Sequence, residues 1–412
     1  MTFYEEDDNY ILCVVPADSD SYIAVGIMGI SALNTDNDAF LYKLDSDGNL
    51  IWESIFGGDN MDWFKTILVT DENEYVATGF TISFSPSIGS AWMVKTDNDG
   101  NEIGNRTYIS NSSSIINSGV VTSDGGYVLV GRKAYPGFPG SIVIKTDSEG
   151  NEQWIKKFGL GGFYSYDYFT SIKEVPGEGF IMAGDTTSFS SGNLEDGWLL
   201  KIDENGNELW NHSFGDLDLD GLKSVVVSSD GGYIAVGKTK LYGESLFNAW
   251  IIKTDSDGNL LWEKRYFEGY DSSLNSIIAT NDGNYIAVGS VGNVPDGSVK
   301  ASFGVDKYEG LLLKVDDNGT EIWNQTFDSY YSSTFNSIAC SSESYIVAGE
   351  TKSYEVNEKD GLIVLYSDPE MLIEDVTEDE TSSQITAEKS PLPFTVTLFS
   401  IALSFIALKR RL

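Results

Sequence analysis

One histidine, His212, and two cysteines, Cys13 and Cys340, are all that 412 residues offer of the side chains most used for metal binding and nucleophilic catalysis. A lone imidazole excludes a histidine cluster, and its setting between Asn211 and Ser213 in a β-rich run reads as a surface or edge position, not as part of a serine–histidine–aspartate triad. Basic residues are also scarce. With 26 Lys and Arg against 63 Asp and Glu, the net charge of −37 repels phosphate backbones and excludes nucleic acid as a partner. The first eight residues have neither a basic stretch nor an apolar one, so they do not read as a secretory leader.

What the chain has is a repeat. An aromatic residue followed four positions later by glycine occurs at Tyr22/Gly26, Tyr75/Gly79, Tyr127/Gly131, Phe180/Gly184, Tyr233/Gly237, Tyr285/Gly289 and Tyr345/Gly349. A second element, K-x-D-x-x-G-N-x-x-W in its fullest form, begins at Lys43, Lys95, Lys145, Lys201, Lys253 and Lys314, with a degenerate copy near Leu365. In the clearest unit, YIAVG and AWIIKT read as strands and LLW begins a third, with DGG and DSDGN as turns. Four short strands in about 50 residues are the length of a propeller blade, and closing the blades into a ring protects their edges. The expected fold is all-β: a seven-bladed β-propeller of four-stranded antiparallel blades over residues 1–367.

Phe3 precedes Tyr22 by the interval that separates Phe56 from Tyr75 and Phe214 from Tyr233, so the chain begins inside a fourth strand. Thr2 and Phe3 then complete the last blade with both chain ends, or the true start lies upstream and carries a leader; the two are compatible. Naming the strands of a blade a to d, the short uniform a–b and c–d turns occupy one face of the ring. The b–c and d–a connectors share the other, and their lengths vary most at 133–140, 160–169 and 290–308. Variable connectors mark the recognition face. The candidate ligand-binding residues there are Tyr135, Phe138, Phe163, Tyr164, Tyr166 and Phe303, whose rings suit a sugar or peptide face. Tyr168 and Phe169 instead repeat Trp63 and Phe64 and read as packing.

Residues 368–390 are acidic and rich in Ser and Thr, which reads as a solvated, disordered stalk. Residues 391–408 are apolar and uncharged, and 409–412 form a basic end. About 16 residues span roughly 24 Å as a helix, short of a hydrocarbon core of ~30 Å but tolerable with local thinning. One C-terminal transmembrane helix with a cytoplasmic basic end leaves the propeller outside the cell.

The repeats resemble the tandem DGGY…K-x-D-x-x-G-x-x-x-W units of archaeal and bacterial surface propellers, and their D-x-x-G-x-x-x-W portion is similar to quinoprotein-type blades. That resemblance implies that Trp52, Trp154, Trp210, Trp262 and Trp323 dock blade to blade, and that Gly104, which stands in the sixth such position, leaves one junction looser. The tail, from Pro391-Leu392-Pro393-Phe394 to Lys409-Arg410-Arg411, resembles the C-terminal sorting signals of prokaryotic surface proteins. It implies attachment to the cell membrane through the C-terminus.

Several features have a functional and a bland reading. The turns at Asp45, Asp47 and Asn49, and their equivalents at Asp97 and Asp255, cluster oxygen ligands as calcium loops do. The glutamate that should stand twelfth is replaced by Phe56 and Tyr266, so they read as hairpin turns and no cofactor is expected. The repeated lysines read as serving the blade, paired with the aspartate two positions on. Cys13 and Cys340 fall on strand a of the first and last blades with the same parity, which predicts buried free thiols in place of a disulfide. The functional expectation is a surface-anchored, non-catalytic propeller binding a glycan or protein ligand. The alternative is an extracytoplasmic enzyme on a quinoprotein-like or glycan-active propeller.

Overall fold

The computed structural model describes residues 2–3, 8–30, 37–86, 88–109, 112–134, 140–160, 166–192, 194–292, 308–327, 332–340, 344–352 and 359–366. These form seven four-stranded antiparallel sheets. Blade 5 shows the pattern: strand a is Asp220–Val227, b Tyr233–Thr239, c Asn248–Thr254 and d Leu260–Tyr266, paired in that order. Six blades run consecutively along the chain. The seventh takes strands a to c from Ser332–Cys340, Tyr345–Lys352 and Lys359–Tyr366, and its fourth from Thr2–Phe3, which pairs with Leu362 and Gly361. Both chain ends therefore close the ring. Among the described residues no helix is long and apolar enough to cross a membrane, and residues 391–408 lie outside them.

The signature glycine has a steric cause. In every blade, strand a bulges by one residue beside strand b, at Leu12, Lys65, Asn117, Thr170, Lys223, Asn275 and Asn336. A bulge pushes one carbonyl of strand a toward its neighbour. A Cβ on Gly237 would stand 1.9 Å from the carbonyl oxygen of Gly221, and one on Gly79 2.1 Å from that of Trp63. Only glycine fits opposite the bulge.

The hydrophobic core lies between blades. Tyr233, Ala235, Trp250 and Ile252 of blade 5 pack against Ile181, Ala183 and Leu199 of blade 4, whereas Ile234, Val236 and Ile251 pack toward blade 6. Inner strands buried on both faces explain the near-continuous apolar runs in b and c. The same layering joins Ile11 and Val14 of blade 1 to Ile346 and Ala348 of blade 7.

The motif residues meet at the outer part of each junction. The indole of Trp52 sits against Gly100 in the c–d turn of the next blade, as Trp154, Trp210 and Trp262 sit against Gly206, Gly258 and Gly319. Trp323 instead packs 5.5 Å, ring to ring, from Tyr366. Where Gly104 replaces tryptophan the junction is filled: the Met93 methyl reaches Gly150, and the Tyr108 hydroxyl donates to the Gly150 carbonyl at 2.8 Å. A long unbranched side chain takes up the space.

The repeated lysines do not pair with the aspartate two residues on. They cross the sheet to the a–b turn: Lys95 to Glu74 at 2.5 Å, Lys145 to Asp124 at 2.7 Å, Lys314 to Asp282 at 2.8 Å, and Lys201 to Glu178. Lys253 also bridges blades, binding Asp230 of its own at 2.7 Å and Asp317 of blade 6 at 2.6 Å. The aspartate of the motif is occupied by its own turn. Asp255 accepts the amides of Asp257 and Asn259 and the Asn259 side chain, and Gly258 follows at φ 82°.

Asp230 makes this ring testable. The Lys253 hydrogen bond, opposed by burial and aided by the Gly232 amide, lowers its pKa from 3.8 to about 2. A carboxylate depressed on folding contributes stability above its unfolded pKa and loses it as pH falls through the folded one. The stability difference between the parent and Asp230→Asn is therefore expected to hold from neutral pH to about pH 5 and to shrink toward about pH 2. Urea unfolding across that range measures it, and a difference that stays constant into acid would contradict the pairing.

Candidate ligand-binding face

The b–c and d–a connectors emerge together on one face, held by buried carboxylates at the start of strand a. Asp167, 2% exposed, accepts Thr186 Oγ1 at 2.6 Å and the amides of Thr187 and Ser188 at 3.2 and 3.1 Å. Asp220 accepts the amides of Asp216 and Lys240 at 2.9 and 3.1 Å, and burial raises its pKa. Of the aromatic residues singled out from the sequence, Tyr166 is described: its side chain is exposed, and its backbone is pinned to Thr187 on both sides. Tyr135, Phe138, Phe163, Tyr164 and Phe303 lie outside the described residues. Phe169 is fully buried and stacks on Trp198 at 4.5 Å, as Phe64 does on Trp92 at 4.8 Å.

A contiguous polar track crosses this face over blades 4 to 6. The Tyr168 hydroxyl donates to Asp185, and the Lys223 ammonium lies 2.8 Å from the same carboxylate and 5.4 Å from the Tyr168 ring centre. The other Asp185 oxygen is buried without a hydrogen-bond partner among the described residues. Burial first, then the Asp185 charge, pushes the Tyr168 phenol far above its ordinary range, so it is a donor and not a base. Glu195 is raised by burial and by Asp185. Beyond them, Lys238 lies 4.0 Å from the Phe247 ring centre, and burial, reinforced by Lys223, lowers its pKa against the pull of Asp185, Asp271 and Glu195.

Lys238 and Phe247 open into a cavity of about 240 Å³ shared with Asp271, Ser273, Ser290 and Tyr308. The Tyr308 hydroxyl and the Phe247 amide both hold Asp271, at 2.5 and 3.0 Å. The cavity thus offers one cation, one oriented carboxylate, hydroxyl groups and an aromatic wall. This arrangement suits a polar ligand with an apolar edge, such as a sugar ring or a peptide side chain.

Sequence reasoning missed the bulge residues. Their side chains form a girdle around the axis: Asn117 donates to the Phe169 carbonyl of the next blade at 2.8 Å, Thr170 to Leu222 at 2.9 Å, Asn275 to Phe335 at 2.8 Å and Asn336 to Ile11 at 3.2 Å. The last of these crosses the junction where the ring closes. One position on, Ser171, Ser224 and Ser337 accept amides of Val225, Ile277 and Val14 in the following blade, at 3.3, 3.4 and 3.3 Å. The signal for these positions is distance from the signature glycine, fourteen residues downstream in six blades and thirteen in the last.

His212 sits at the outer blade 4–5 junction, 5.3 Å from the Trp210 ring and against Gly258, away from the track. Cys13 and Cys340 form no disulfide and are half-buried, not buried, because both line the water-accessible channel on the ring axis. Among the described residues no group of three or more His, Cys, Asp or Glu is placed to hold a metal ion.

No protein-family model matches the chain, and no curated protein does. Its likeness is to solved propellers. An ulvan lyase, described as a polysaccharide lyase bound to -[GlcA(1-4)Rha3S]-, superposes with a TM-score of 0.56 at 11% identity over 89% of this chain and 96% of that one. The WD40 propeller domain of Doa1 gives 0.52 at 13% identity over 90% and 97%. Sqt1 of Chaetomium thermophilum, bound to the N-terminus of ribosomal protein L10, gives 0.50 at 11% identity over 89% and 98%. At such identities the likeness is one of fold. It places the chain in the class of seven-bladed β-propellers.

Proposed function

We propose that the protein is a non-catalytic binding propeller that takes a glycan or protein ligand on its connector face. The observation that carries this reading is the cavity of about 240 Å³ where Lys238, Phe247, Asp271 and Tyr308 converge, on the face from which the most variable connectors emerge. Each polar group there is held by a neighbour or flanked by an aromatic ring, as a preformed recognition surface requires. Tyr166 belongs to a connector of the same face, and Tyr135, Phe138, Phe163, Tyr164 and Phe303, which lie outside the described residues, extend the proposed contact surface on the ground of the sequence alone. Fold relatives that hold a ribosomal-protein N-terminus and an oligosaccharide are compatible with it.

We also infer that the apolar segment 391–408 and the basic residues after it anchor the chain in the cell membrane with the propeller outside. The support is the sequence: an uncharged run ending in Lys409, Arg410 and Arg411. External protease applied to intact cells, tracking a tag near Ser383, should remove the tag while sparing a cytosolic control. Protection of the tag would reverse the orientation.

The binding test is an array of neutral and uronate-containing oligosaccharides and of peptides, probed with the full chain. Binding is expected to fall about tenfold or more in Phe247→Ala, the loss of ~1.4 kcal/mol. Undiminished binding by that variant would move the site elsewhere. The enzyme reading is favoured by one observation, the burial-lowered Lys238 beside an oriented carboxylate. Its signature would be an unsaturated uronate accumulating with time, seen by ultraviolet absorbance and lost in Lys238→Met.

A further inference from the structure

The channel on the ring axis runs against the charge of the whole molecule. Acidic residues outnumber basic ones 63 to 26, yet no aspartate or glutamate is among the described residues that line this cavity of about 480 Å³, and three lysines are: Lys65, Lys173 and Lys223. We propose that the channel is a binding site for a small, multiply charged oxyanion, held by the ammonium groups of Lys65, Lys173 and Lys223, which all line the lumen. The site is distinct from the connector-face cavity and does not depend on what binds there.

The geometry follows from the bulge. Lys65 and Lys223 occupy the position at which Asn117, Thr170, Asn275 and Asn336 spend their donor on the next blade. A lysine there gives up that inter-blade bond and places an ammonium in the lumen. Lys223 is paired with Asp185, but neither Lys65 nor Lys173 has a hydrogen bond or ion pair with any described residue. Elsewhere on the ring, the repeated lysines of strand c reach a carboxylate. Ser118 and Ser276 face the same lumen half-exposed and add hydroxyl donors.

Two unpaired cations in a narrow channel are costly. Loss of solvation lowers the pKa of Lys65, with Lys223 adding to the effect and Cys13 and Glu350 opposing it. An anion of charge −2 or more offsets the repulsion between Lys65 and Lys223 and gives the ammonium donors of the lumen an acceptor. The cavity, about 480 Å³, has room for an anion such as phosphate, sulfate or a short dicarboxylate.

The test is the melting temperature of the full chain titrated with phosphate, sulfate or malonate, with sodium chloride holding ionic strength constant. A saturable rise of about 2–4 °C is expected, absent from the Lys65→Met/Lys173→Met double variant and retained by Lys65→Arg. The preferred anion identifies which oxyanion chemistry the site takes. An equal rise in the double variant, or with chloride alone, would show screening of the −37 surface and overturn the proposal. Should the double variant fail to fold, Lys173→Gln alone, altering a side chain already exposed in the lumen, carries the same comparison.

Discussion

Gly237→Ala is expected to destabilise the propeller by about 3 kcal/mol or more, and to do so by pushing strands a and b of blade 5 apart, not by altering the flexibility of the chain. The added Cβ would stand 1.9 Å from the Gly221 carbonyl oxygen and 2.9 Å from the Leu222 Cα, both backbone atoms that no rotamer change can move aside. Relief requires shifting the bulge at Lys223, and Lys223 is tied to Asp185 while Leu222 accepts the Thr170 hydrogen bond from blade 4. The disturbance therefore reaches two blades. Gly231→Ala in the a–b turn is the control: its Cβ would meet nothing within 4 Å, and only its φ of 85° is unfavourable. That substitution should cost about 1 kcal/mol. Chemical denaturation of the two variants compares them directly, and equal costs would mean that the signature glycine answers to backbone conformation and not to the bulge.

The glycine was legible in the sequence as a repeat marker but its reason was not. Seven aromatic–glycine pairs gave the blade count, the position of strand b and, through Phe3, the closing of the ring by Thr2–Phe3. Turn chemistry was equally readable, because Asp-x-x-Gly-Asn enforces a hairpin locally. Strand a carries no such signature. Its bulge residues are Leu, Lys, Asn, Thr, Lys, Asn and Asn around the ring, a series in which each answers to the neighbouring blade and not to its own segment. The channel and its lysines were hidden for that reason. The partner of the repeated lysines was misread for a related one: the aspartate two positions on is closer in sequence, but it stands where strand c ends and its carboxylate is taken up capping the c–d turn, while the a–b turn beside that end of strand c comes within reach of the ammonium. On the connector face, Tyr166 is exposed and lies in a connector that length variation marks, whereas the track from Tyr168 to Tyr308 joins residues from three blades that no local pattern connects.

Trp198→Ala carries the other large effect, about 3–5 kcal/mol, the range for emptying a buried aromatic site. The indole is fully buried, stacked on Phe169 at 4.5 Å and flanked by Phe189 at 5.6 Å, and it belongs to the layer where Val128, Val130 and Val143 of blade 3 meet blade 4. Its ring nitrogen donates to Asn211 Oδ1 at 3.4 Å, so the substitution also removes the indole donor from that oxygen. Trp154, named from the repeat motif, packs at the outer edge of the same layer and is only half-buried, its ring edge resting on the turn at Gly206. Trp154→Ala should therefore cost about 1–2 kcal/mol, in proportion to the smaller apolar area it removes from water. The contrast separates two roles for tryptophan in one blade junction: strand c supplies the wedge that fills the layer, and strand d supplies a cover that keeps water from its rim. Because every layer is shared by two blades and the last is shared by both chain ends, loss of the wedge in one junction should lower the single cooperative unfolding transition of the ring, not create an early one for blade 4 alone. Equilibrium unfolding followed by both tryptophan fluorescence and far-ultraviolet circular dichroism distinguishes these results, and a separate early transition in Trp198→Ala would show that the blades melt independently.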